Sequence, residues 1–103
     1  MSKANYDIGQ LIQHRLFDYR GVIVDVDPCY EGSDEWYEQM ALSRPPRNHP
    51  WYHVLVDGSD VETYVAERNL IAATALEPIT HPLLDTYFSG FHDGHYESVR
   101  KVN

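Results

Sequence analysis

The stretch Trp51–Leu70, WYHVLVDGSDVETYVAERNL, limits the folds open to this chain more than any other. Tyr52, Val54 and Val56 alternate with Trp51, His53 and Leu55. After Asp57-Gly58-Ser59-Asp60, Val61, Thr63 and Val65 alternate with Glu62, Tyr64 and Ala66. A period of two on both sides of a short Gly-containing link predicts a β-hairpin. A lone hairpin is marginal in water and needs further strands over its apolar face. The remaining sequence must supply them, which points to a small β-barrel.

The chain in order fits that demand. Met1–Tyr6 reads as a lead-in. A first strand is expected over Gln10–Phe17 and a turn over Asp18-Tyr19-Arg20-Gly21, with Gly21 free to take positive φ. Gly21–Asp27 is a second strand, ended by Pro28. Cys29–Pro50 is a long excursion. In it Ser33 is placed to N-cap a helix over Asp34–Leu42, with Asp34 and Glu35 at the positive end of the dipole, and Ser43–Pro50 reads as extended and Pro-rich. Strands over Trp51–Asp57, Val61–Ala66 and Leu70–Ala72 follow, with a tight turn at Glu67-Arg68-Asn69. The reading is mostly β: an SH3-like barrel of about five antiparallel strands over residues 8–73, within a single domain spanning 1–103. Val22, Val24, Val26, Val54, Val56, Val65 and Leu70 are expected in the core. In the extended segment 74–103, a helical turn through Leu83, Leu84, Tyr87 and Phe88 is expected, and Phe91–Asn103 reads as a mobile tail.

Charge narrows the ligand classes. Sixteen acids against eight Lys and Arg leave a formal net charge of -8. Affinity for nucleic acid comes largely from cations that displace counterions, so this balance opposes a large phosphate-binding surface. Cys29 is the single cysteine, so no intrachain disulfide can form. The opening MSKANYDIGQ lacks the apolar run of a signal peptide, and no run reaches a membrane span. The expectation is a cytoplasmic protein without a membrane partner.

The candidate chemistry is sparse. His92-Asp93-Gly94-His95 offers two imidazoles but no third ligand, and a solvated tail is the simpler account. His49 and His53 lack a visible partner for base catalysis and read as structural. Cys29 has acids around it and no cation to stabilise a thiolate. Asp25 and Asp27 share a strand face that can take a hard cation, but no EF-hand spacing is present and a solvated acidic face is the better reading. No catalytic residue, metal or cofactor is assigned. The aromatics carry more information. Tyr30, Trp36, Tyr37, Trp51, Tyr52 and Tyr64 crowd the excursion and the hairpin, too many for so small a barrel to bury. Tyr30, Trp36, Tyr37, Trp51 and Tyr52 are therefore taken as partner-binding, either gripping a peptide or stacking on unpaired bases. The alternative for Trp36 is that it folds back over the barrel.

Four blocks together resemble one family. They are His14-Arg15-Leu16-Phe17, Arg20-Gly21-Val22-Ile23-Val24-Asp25-Val26-Asp27-Pro28, Pro50-Trp51-Tyr52-His53-Val54-Leu55-Val56, and Thr63-Tyr64-Val65-Ala66-Glu67-Arg68-Asn69-Leu70. Together they are similar to the heat-shock protein HspQ family, also called YccV-like or hemimethylated-DNA-binding. The resemblance runs from about Ile8 to Leu70. It implies an SH3-like barrel with no catalytic centre and two activities. One enhances degradation of selected substrates by the Lon protease. The other binds hemimethylated DNA and affects replication-initiator levels.

The two activities ask for different surfaces. DNA needs a basic face, for which Arg15, Arg20, Arg44, Arg47 and Arg68 are the candidates, with Lys3, Arg100 and Lys101 near the ends. A protease adaptor needs an adhesive surface, which an acidic body permits. The charge balance favours the protein partner. Surplus aromatics and open strand edges also predict a homo-oligomer, a trimer being one such form, with aromatics of the long loop or of the C-terminal segment at the contact.

Overall fold

The computed structural model describes residues 3–99. Five antiparallel strands form the main sheet: β1 (Leu11–His14), β2 (Arg20–Asp27), β3 (Trp51–Val56), β4 (Glu62–Ala66) and β5 (Leu70–Ala72). Helix α1 (Asp34–Met40) lies between β2 and β3, and a 3₁₀ turn over Glu67–Asn69 joins β4 to β5. Helix α2 (Leu84–Tyr87) then leads into a second, two-stranded sheet of β6 (Phe88–His92) and β7 (His95–Ser98). Among the described residues no helix is long and apolar enough to cross a membrane.

The five expected strands and their antiparallel pairing are present. Closure into a barrel is not. The sheet order is β4-β3-β2-β1-β5, with no ladder between β4 and β5. Those two strands occupy opposite ends of the order, yet three residues join them. A chain advances at most about 3.6 Å per residue, so the sheet must coil until its ends converge at that corner.

β1 stops at His14 and not at Phe17, because the His14 ring intercepts the backbone. Its Nδ1 accepts from the N–H groups of Leu16 and Phe17 at 3.0 and 3.1 Å. Asp18, not Gly21, takes the positive φ of this turn, at 61°. Gly21 serves a different need: a Cβ there would lie 2.5 Å from the Leu55 carbonyl oxygen.

A register shift between Ile23 and Asp25 in the β2–β3 ladder corrects the expected core. Before it, Val22 pairs with Leu55 and Ile23 with Val54; after it, Asp25 pairs with His53 and Val26 with Tyr52. The extra residue changes which face each later side chain takes. Val22 and Val24 therefore pack with Leu11, Leu55, Ile79, Phe88 and Tyr96 on one side. Val26 moves to the other side, against Ile12, Ile23, Tyr52, Val54, Val65 and Leu70, where it is only partly buried. Val56, also expected in the core, is half-buried.

The tail reading is corrected as well. Residues 91–99 are ordered hairpin, and residues 100–103 of the expected tail lie outside the described ones. Asp93 and Gly94 both take positive φ, at 50° and 78°, the signature of a two-residue hairpin turn that matches strand twist. His92 and His95 simply flank that turn as a pair. The hairpin docks through Gly9, whose carbonyl accepts from Tyr96 N–H at 2.8 Å while its own N–H donates to the Ile23 carbonyl at 2.8 Å.

Gly9 has φ 92°, and an added Cβ would meet the Tyr96 carbonyl oxygen at 2.1 Å. Gly58 has φ 74° but open space around it. Gly9→Ala should therefore lower the unfolding free energy by more than about 2 kcal/mol, and Gly58→Ala by about 1 kcal/mol. Urea titration compares them; equal losses would mean that the hairpin does not press on Gly9.

Candidate functional site

The excursion between β2 and β3 is built on rings. Ser33 caps α1, its hydroxyl accepting from Trp36 N–H at 3.0 Å. Ala41 N–H closes the other end on the Tyr37 carbonyl. Tyr30, Trp36, Tyr37, Trp51 and Tyr64 then pack edge to face and tilted, Tyr30 and Trp51 with centroids 4.8 Å apart. Their polar tips hold the Pro-rich segment: Tyr37 Oη donates to the Pro45 carbonyl at 2.6 Å and Trp51 Nε1 to the Pro46 carbonyl at 3.1 Å.

This placement corrects the expected aromatic groove. Trp51 is 1% exposed and Tyr52 0%, with Tyr30 and Tyr37 also buried. A ring whose hydroxyl or indole N–H is already satisfied inside is core, not a sticky surface. Tyr52 lies on the opposite side, where its hydroxyl donates to the Glu67 carboxylate and accepts from Asn5 and Tyr6 N–H. Burial first, and then the Glu67 bond, pushes its pKa up. Trp36 is the one residue of that predicted set that stays half-exposed.

A second cluster lies where β2, β3 and β4 share a face. His53 Nε2 is 3.2 Å from Asp27 Oδ2, and its Nδ1 is 3.6 Å from a Glu62 oxygen. Tyr64 Oη donates to the same Asp27 oxygen at 2.7 Å and accepts from Glu31 N–H at 3.0 Å. Donor atoms of Asp25, Asp27 and His53 lie within 4.8 Å of one another, a spacing that can hold a cation. The bonds already made satisfy Asp27 and His53 without one, so the cluster explains itself as a strand-to-strand tie. The Cys29 thiol donates to Glu31 at 3.5 Å, and that bond raises its pKa, which opposes thiolate formation.

The arginines divide into two groups. Arg20 pairs with Asp57 at 3.5 Å and donates to the Ala75, Glu77 and Pro78 carbonyls, clamping the segment after β5. Arg44 pairs with Glu38 at 3.3 Å, and Arg47 with Asp34 at 2.6 Å while lying over the Tyr30 and Tyr37 rings. Arg15 and Arg68 instead donate to neutral carbonyls, those of Arg68 and Ser43. Among the described residues they are the two arginines with no carboxylate within 4.0 Å. They line one cleft of about 370 Å³.

Beside Arg15, the β1–β2 turn lifts Leu16 and Phe17 out of the sheet, 60% and 75% exposed. Sequence reasoning missed this pair, since it ran the first strand through them. The available signal was two successive large apolar residues, which no strand alternation buries together.

One family model, described as YccV-like, hemimethylated DNA-binding protein YccV like, matches residues 4–95.

The buried His14 ring makes the exposed turn acid-sensitive. An Nδ1 that accepts two N–H bonds must be unprotonated, and burial holds the pKa of His14 below its ordinary 6.5. The unfolded chain therefore takes up this proton at higher pH than the folded one. The contribution is whole above about pH 6.5 and shrinks as pH falls from there to the folded pKa. The difference in urea midpoint between wild type and His14→Ala should narrow from pH 8 to pH 5; a constant difference would show that the ring is not held neutral.

Proposed function

The chain belongs to the YccV-like family, and from that membership we propose that it is a non-catalytic binding protein of protein quality control, engaging partner proteins and raising their degradation by a Lon-type protease. The observation that carries this reading is the chemistry of the surface. Leu16 and Phe17 stand in solvent while Arg20, Arg44 and Arg47 are spent on the chain's own carboxylates. An apolar pair in a polar setting suits a protein partner. Guanidiniums already paired release few counterions from a phosphate backbone.

The family's description supplies the second reading, hemimethylated DNA. Arg15 and Arg68 favour it, as arginines with no carboxylate within 4.0 Å. Two such groups on a chain of net charge -8 make a small footprint. In the favoured reading Trp36 is the loop's partner-binding aromatic. Self-association as a trimer belongs to the same proposal, with exposed Met40 at the end of α1 and Leu42 just after it taking the place of the buried loop rings.

A reconstituted Lon-type degradation assay, beside salt-titrated binding to methylated, hemimethylated and unmethylated duplexes, tests the choice. The chain should accelerate proteolysis, and Trp36→Ala should weaken partner engagement by about 2 kcal/mol, the scale of an aromatic hot spot. Arg44→Ala with Arg47→Ala should change neither readout. Tight, salt-dependent binding selective for the hemimethylated duplex, with no effect on proteolysis, would overturn the proposal.

A further inference from the structure

The Arg15–Arg68 cleft has a chemistry of its own. Its apolar walls include Tyr6, Pro46 and Leu70. Glu67 also lines it, but that carboxylate is occupied: one oxygen accepts from Asn5 Nδ2 at 3.0 Å, and the other from Asn5 N–H at 2.8 Å and from the Tyr52 hydroxyl. With Glu67 so engaged, the guanidiniums keep donors for something outside the chain. Arg15 spends Nη1 on the Arg68 carbonyl and Arg68 spends Nη2 on the Ser43 carbonyl. Each bond fixes its side chain in place, and a guanidinium has five N–H donors, so further donors remain for a ligand. A planar fork held in advance loses less entropy when it grips a carboxylate.

Leu16 and Phe17 follow Arg15 directly in the β1–β2 turn, and both are exposed. The Phe17 ring is not loose, since it stacks on His14 at 4.6 Å with the planes 25° apart. The ligand that complements two positioned guanidiniums beside two positioned apolar side chains is a short peptide segment carrying Asp or Glu next to Leu- or Phe-like residues. The opposite occupant, a basic peptide, would meet like charge.

We infer that this cleft is a docking site for an acidic, apolar segment of a partner protein, its carboxylate on Arg15 and Arg68 and its apolar side chains on Leu16 and Phe17. The inference rests on the protein-binding reading above and names the class of segment bound. Charge complementarity argues for it: the chain carries a net charge of -8, and among the described residues this cleft gathers the two arginines that have no carboxylate within 4.0 Å.

The test is a positional-scanning array of octapeptides probed with the fluorescently labelled full-length chain. Three proteins are compared: wild type, Arg15→Ala with Arg68→Ala, and Leu16→Ser with Phe17→Ser. Wild type should select Asp or Glu adjacent to Leu or Phe. The arginine pair should reduce acidic selection about tenfold while leaving the apolar preference, and the Leu16/Phe17 pair should do the reverse. Urea titration confirms that both variants fold; these side chains are exposed, so their midpoints should stay near wild type. No acidic selection, or selection unchanged in the arginine variant, overturns the inference. So does capture of a hemimethylated duplex that the arginine variant loses, with the array silent, since the cleft then belongs to nucleic acid. If the arginine variant still accelerates proteolysis fully, the docking site is wrong while the adaptor reading stands.

Discussion

The central strands of this chain are apolar on both faces, and everything else answers that fact. Val22 and Ile23 are both fully buried although they point to opposite sides of β2. A single coiled sheet can wrap only one of those sides. The inner side closes on Ile12, Tyr52, Val54, Val65 and Leu70. The outer side, with Val22, Val24 and Leu55, needs a separate cover, and Ile79, Phe88 and Tyr96 provide it. At about 25 cal/mol per Å² of apolar area, leaving such a face wet costs more than a small domain has to spare. The C-terminal hairpin is thus a structural necessity.

The same sheet sorts polar residues by where they fall relative to the bulge. Past it, Asp25, Asp27 and His53 continue along the outer face beyond the reach of the core. There they meet Glu62 and Tyr64 from β4 and tie three strands together through hydrogen bonds. A hydrophobic layer and a polar one therefore occupy successive stretches of one surface. Arg20 extends the polar stitching by holding the carbonyls of residues 75, 77 and 78, which start the chain on its way to the outer cover.

Much of this was legible in the sequence. The hairpin alternation located β3 and β4, Ser33 located the start of α1, and Leu70–Ala72 was placed to the residue. What escaped did so for identifiable reasons. A bulge leaves no mark in a run of valines, so Val26 was put on the wrong face. A histidine that bonds its own turn looks like any other histidine, so β1 was drawn three residues too long. Asp93-Gly94 is a strong turn signal, but a segment with two glycines and no core period reads as a tail, so the strands on either side were missed. Of the proposed site, arginine positions could be named from sequence. Which of them the chain neutralises internally could not, because Asp34, Glu38 and Asp57 become partners only through the fold.

The outer cover is also the latest part of the described chain to be made. By residue 72 the residues of all five strands of the main sheet have been made. Val22, Val24 and Leu55 must then wait for Phe88 and Tyr96. During synthesis there is an interval, roughly one to a few seconds long at ordinary elongation rates, in which all five strands of the main sheet have been made and the outer cover has not. A chain that stops between those points lacks the side chains that cover Val22, Val24 and Leu55. The order of elements along this chain thus puts the residues that cover the outer face after all of those that need covering.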